Sequence, residues 1–102
     1  MDSDFLKRAG DFDADVLRRI DALIAERVMG WKITPINWTP TEDISAAWIV
    51  WEWLENHYGK GNIALMNNGI FLFETEDYLA QSNKGYLMSI CIASLRVVGI
   101  DI

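Results

Sequence analysis

Cys91 is the only thiol of the chain and His57 the only imidazole. These two residue types make a nucleophile–base pair when they meet at hydrogen-bond distance. Cys91, however, falls within an apolar helical stripe, where a thiol is inert packing, and His57 is expected at a surface or an interface. One His with one Cys excludes a His-pair metal site and makes no structural zinc site. Glu52 and Glu55 lie three residues apart on one helix and face water, a weak arrangement for acid–base work. Gly59-Lys60-Gly61 lacks the rest of a phosphate loop and reads as a helix stop. The residues thus predict a protein that is not an enzyme and that needs neither cofactor nor metal.

Charge and aromatic surface are what the sequence offers instead. Nine basic and fifteen acidic residues give a net charge of −6. The deficit is even, six against nine up to Trp51 and three against six after it. Without a basic patch, binding to nucleic-acid phosphates is disfavoured, because that requires clustered Lys and Arg. An acidic surface suits a basic protein partner. The candidate contacts are Glu74, Glu76, Asp77 and Tyr78, and, near the start, Asp2, Asp4, Asp11 and Asp13. A lone cysteine makes no internal disulfide and fits a reducing compartment. The opening MDSDFLKRAGDFDAD has no basic start followed by a long apolar run, and no segment is apolar for long enough to span a bilayer. The expectation is a soluble intracellular protein.

The elements that carry these residues follow from periodicity. Residues 39–58 are expected to form the helix around which the rest is arranged. Ile44, Ala47, Trp48, Trp51, Leu54 and Tyr58 share one face at helical spacing. Ile49, Val50, Trp53 and His57 fall on the opposite side and are the candidate oligomer interface. Thr39, Pro40 and Glu42 read as a capping box, with Thr41 as a competing cap. Ahead of it, residues 1–12 read as an arm or short helix, and a single domain occupies 13–102. Its first helix, about 13–29, buries Val16, Ile20, Leu23, Ile24 and Val28 and stops at Gly30. Asp15 with Arg19, and Arg18 with Asp21, are expected as wet pairs. Residues 31–38 are irregular around Pro35, with a short strand possible at 32–34. Residues 62–74 form a hairpin about Asn68-Gly69. Its unbroken apolar runs predict strands covered on both faces. Residues 75–85 read as an acidic loop. A last helix over 85–98, with Asn83 as a cap, buries Leu87, Ile90, Cys91, Ser94, Leu95 and Val98 and turns Ser89 and Arg96 to water. The fold class is therefore α/β (α+β), a small helix–sheet–helix sandwich in which a β-hairpin of two to three strands is covered by three main helices. Short strands leave edges that recruit partners, so a homodimer or higher homo-oligomer is expected.

Three stretches, taken in order, resemble a known family: LIAERVMGW at 23–31, DISAAW at 43–48 and SICIASLRVVG at 89–99. They are similar to the phage ABA sandwich domain, small proteins of phages and prophages. The departures are the acidic extension before Asp13 and the additional Trp51 and Trp53. The resemblance implies a helix–sheet–helix sandwich of phage origin acting in the bacterial host cytoplasm, and it supplies no catalytic residues. Together with the acidic surface, it leads to the expectation of a non-enzymatic binding protein that inhibits a bacterial host or defence protein, for example in the manner of an anti-CRISPR. The alternatives are an oligomeric sponge for a nucleotide signal, stacking on Trp31, Trp38 or Trp53 with Arg96 or Lys60 at the phosphate, and a structural or accessory phage protein.

Overall fold

A computed structural model describes residues 14–66, 69–82 and 84–100. The elements are α1 (Ala14–Leu23), which continues as a wide π-helical turn over Ile24–Val28, then α2 (Ile44–Tyr58), β1 (Ile63–Met66), β2 (Gly69–Leu72), β3 (Asp77–Gln81) and α3 (Tyr86–Val97). Among the described residues, three helices and one three-stranded antiparallel sheet, in the order β1-β2-β3, make a mixed α+β fold.

The α1 stripe of Val16, Ile20, Leu23, Ile24 and Val28 is buried, as its spacing requires. Met29 N donates to Ile24 O at 2.9 Å and Trp31 N to Ala25 O at 2.9 Å, with Gly30 at φ 74 between them. That left-handed residue ends the helix. The next segment makes no strand: residues 32–33 are a bend, since no neighbouring strand is placed to pair with them and Pro35 offers no donor.

Asp21 is not a wet partner of Arg18. It is 4% exposed, and its carboxylate accepts hydrogen bonds from Thr41 N (Oδ1, 3.0 Å) and Thr41 Oγ1 (Oδ2, 3.2 Å). Its carbonyl also accepts from Trp38 Nε1 at 3.1 Å. One helical residue thus ties down both ends of the 38–41 segment. This clamp explains why α2 begins later than expected. Thr41 is occupied, Thr39 O accepts from Glu42 N and Asp43 N in a tight turn, and the cap is Asp43, extended at φ −113 and ψ 119, whose side chain accepts from Ser45 N. No capping box forms at Thr39.

The chain is arranged around α3 rather than α2. Every residue from Met88 to Leu95 is buried, because the sheet packs on one side of α3 and α1 and α2 on the other. A helix buried all round should be apolar all round. Its two serines satisfy that demand by bonding backward, Ser89 Oγ to Gly85 O at 3.2 Å and Ser94 Oγ to Cys91 O at 2.8 Å. Ser89, expected on the wet side, is therefore fully buried. Asn83, the expected cap, lies outside the described residues.

Met66 pairs with Gly69, so Gly69 is a strand residue and the connection is 67–68, outside the described residues. The glycine is needed for space. A Cβ there would stand 2.5 Å from Ala80 O and 2.9 Å from Tyr78 Cδ1. Gly69→Ala should lose about 1–3 kcal/mol of stability by overpacking, read from the urea midpoint at unchanged slope.

The acidic loop expected at 75–85 contains the third strand, Asp77–Gln81, too short for its alternation to be legible. Leu79 is an extra residue in its pairing with β2. The Leu79 carbonyl, displaced by this bulge, accepts from Arg96 Nη1 at 2.8 Å, which blunts that sheet edge. Strand alternation puts Ile63, Leu65, Ile70, Leu72 and Ala80 toward α3. Cover on both faces is not complete. On the second face Phe73 is 54% exposed, beside half-buried Phe71 and Tyr78.

Candidate functional site

The groups that could do chemistry are kept apart. Cys91 is fully buried in α3, and burial, with the nearby Asp21 charge adding to it, pushes its thiol well above the usual range. His57 is exposed at the far end of α2, stacked on Trp53 at 5.5 Å between ring centres and edge-on to Tyr58 at 4.8 Å. Glu52 is exposed and Glu55 half-buried. Gly59-Lys60-Gly61 is the turn from α2 into β1, closed by Asn62 Nδ2 donating to Tyr58 O at 2.7 Å. Of the rings suggested for stacking, Trp38 is buried and meets Trp31 in a T-shaped pair at 4.7 Å between ring centres, Trp31 is exposed, and Trp53 is half-buried and stacks on His57. Among the described residues, no group of His, Cys, Asp and Glu is placed to hold a metal ion.

What the fold does assemble is an acidic and aromatic tip. Residues 73–76 form the turn between β2 and β3, with Glu76 held at φ 53, a conformation rare for a side-chain-bearing residue. Asp77 Oδ1 accepts from Tyr78 N at 2.7 Å and fixes the start of β3. Glu74, Glu76 and Asp77 are all exposed at this tip. Behind them Phe71 meets Phe73 edge-on at 5.4 Å and Tyr78 edge-on at 5.3 Å. The expected contacts Glu74, Glu76, Asp77 and Tyr78 are therefore neighbours. Phe71 and Phe73, which the sequence pattern places in a strand covered on both faces, belong to this tip as well. Their signal is the two-residue spacing, which puts Phe71 in β2 and Phe73 at the start of the turn on the same side, directly ahead of Glu74. Asp2, Asp4, Asp11 and Asp13 lie outside the described residues.

The candidate interface on α2 is divided. Val50 is fully buried, Trp53 half-buried, and Ile49 and His57 exposed. The buried stripe is Ala46, Ala47, Val50 and Leu54, turned away from the expected one. Two of its four residues are alanines, and Ile44 and Trp48 are left outside. Trp48 lines a groove of about 250 Å³ with Leu65, Met66 and Tyr86.

The description "Phage ABA sandwich domain" matches residues 22–95, most of the chain. The chain belongs to the phage ABA sandwich domain family. The match runs from the last two residues of α1 to Leu95 in α3, so Asp21 of the Asp21–Thr41 clamp lies just outside it and the acidic tip within it. Neither a comparison with curated proteins nor one with solved structures gives a match. The protein is thus a phage-family protein, and among its described residues no helix is long and apolar enough to cross a membrane.

Proposed function

We propose that this phage-family domain is a non-catalytic binding module that docks the β2–β3 tip onto a basic surface of a bacterial host or defence protein and blocks it. The observation that carries this reading is the tip itself: three exposed carboxylates within four residues, beside a half-exposed Phe73 on an aromatic base. Carboxylates steer the encounter and set its salt dependence. An aromatic anchor in a desolvated pocket supplies most of the energy. The net charge of −6 and the sealed Cys91 thiol support a binding role over an enzymatic one. The setting for such a module is the host cytoplasm, and nothing in the reading calls on a cofactor.

The test is the triple reversal Glu74→Lys, Glu76→Lys, Asp77→Lys. Proteins captured from bacterial lysate by the wild type and by this variant are identified, and the affinity of each is measured at two salt concentrations. The reading expects a partner whose affinity falls about a hundredfold or more on reversal and weakens with salt for the wild type. If every captured protein binds both chains equally, the tip is not the docking surface.

A further inference from the structure

The rings of the β2–β3 tip say more about its partner than its charge does. Phe71 and Tyr78 are cross-strand partners and Phe73 follows Phe71 by two, so the three rings stand in a row on the sheet face turned away from α3. Phe71 is close to perpendicular to both neighbours, 79° from Phe73 and 77° from Tyr78. A perpendicular pair covers one ring face where a stacked pair covers two, so the row keeps ring faces open, and ring faces are electronegative. Phe73 is exposed, and the other two rings are half-buried. The turn that joins the two strands brings Glu74 and Glu76 beside this row, and Asp77 commits Oδ1 to Tyr78 N and leaves Oδ2 open. Among the described residues, none of these three carboxylates is paired with a cation.

We infer that the group of the partner that meets these rings is an arginine side chain, its guanidinium laid on Phe73 and its N–H edge turned to the carboxylates of the turn. The inference rests on the docking reading above and names the chemistry of the partner. Open ring faces attract a cation, and carboxylates beside them attract the same cation. An arginine satisfies both at once, because a flat, weakly hydrated guanidinium can lie on a ring while its donors pair with carboxylate oxygens. The compact, strongly hydrated ammonium of lysine answers the charge and gains less from the rings. Other occupants fit worse. An apolar partner would draw neighbouring carboxylates from water with nothing to pair them. A second copy, itself carrying −6, would set like charges face to face.

Titration of labelled hexa-arginine and hexa-lysine peptides with the full chain, at one salt concentration, decides the matter. The two peptides carry equal charge, so Coulomb attraction alone gives them equal affinity. The arginine peptide should bind about fivefold or more tighter. Phe73→Leu keeps every charge and removes the ring, so it should erase that preference by weakening the arginine peptide and leaving the lysine peptide within about twofold. Phe73 is exposed, so circular dichroism and the thermal midpoint should be unchanged. In proton NMR, the arginine side-chain methylenes should shift upfield on binding the wild type and not on binding Phe73→Leu. The triple reversal at the tip should abolish binding of both peptides. Equal affinities, or an arginine preference that survives Phe73→Leu, overturns the inference. The two failures can be told apart. A lysate partner that depends on the tip carboxylates, with no arginine preference among the peptides, keeps the docking reading and removes the arginine. An arginine preference that needs Phe73, with no tip-dependent partner in the lysate, does the reverse.

Discussion

Asp21→Ala should lose about 1–3 kcal/mol of folding stability, because it leaves the buried Thr41 N–H and hydroxyl without acceptors. Asp21→Asn should behave differently. An asparagine oxygen can accept from Thr41 N, and its amide can donate to Thr41 Oγ1, so the clamp survives with a change within about 1 kcal/mol. The two variants also separate the clamp from the charge. Burial raises the Asp21 carboxyl above its ordinary value, the two hydrogen bonds from Thr41 pull it part of the way back, and the Glu42 charge adds to the rise. Folded Asp21 thus keeps its proton to a higher pH than the unfolded chain does. Protonation contributes stability that is complete below the unfolded carboxyl value and is lost as pH rises through the folded one. The other carboxylates are common to wild type and Asp21→Asn and cancel in the difference. Relative to Asp21→Asn, the wild type should therefore gain stability between pH 7 and about pH 4, measured by urea unfolding. Parallel profiles would show that the buried carboxylate is not strained by its surroundings.

The largest single loss is expected in α3. Ile90 is fully buried in the helix that touches the sheet on one side and the other helices on the other. Ile90→Ala should cost about 2–5 kcal/mol, the transfer term of the missing methyl groups plus the cavity they leave. Trp48→Ala removes a larger side chain from α2. Trp48 is 43% exposed, so the change in monomer stability should stay within about 1 kcal/mol. The ordering of these two effects tests which helix the fold is built around. A sequence ranking by aromatic content puts the α2 tryptophan first, and burial reverses it. Thermal or urea unfolding of the two variants side by side checks it, and a Trp48→Ala loss equal to that of Ile90→Ala would return α2 to the centre.

The sequence by itself determined the local and periodic features. The α1 stripe and its stop at Gly30, the two-strand signal at 62–74, the helical pattern of the last segment and the family-bearing stretches were all legible, because each depends on neighbours within about four residues. The acidic tip was legible in part: Glu74, Glu76, Asp77 and Tyr78 are close in sequence, so their grouping survives folding. Tertiary structure decided what depended on distant partners. Nothing near Asp21 announces Thr41, twenty residues on, and the Arg18–Asp21 spacing argued for a wet pair instead. The face of α2 that is buried carries Ala46, Ala47, Val50 and Leu54, and a count of large apolar residues points the other way, to Trp48. Ser89 looked wet because a hydroxyl is polar, and it is buried because the Gly85 carbonyl is one turn behind it. β3 was hidden because five residues at a sheet edge, one of them a bulge, carry too little alternation to be read without the strand they pair with.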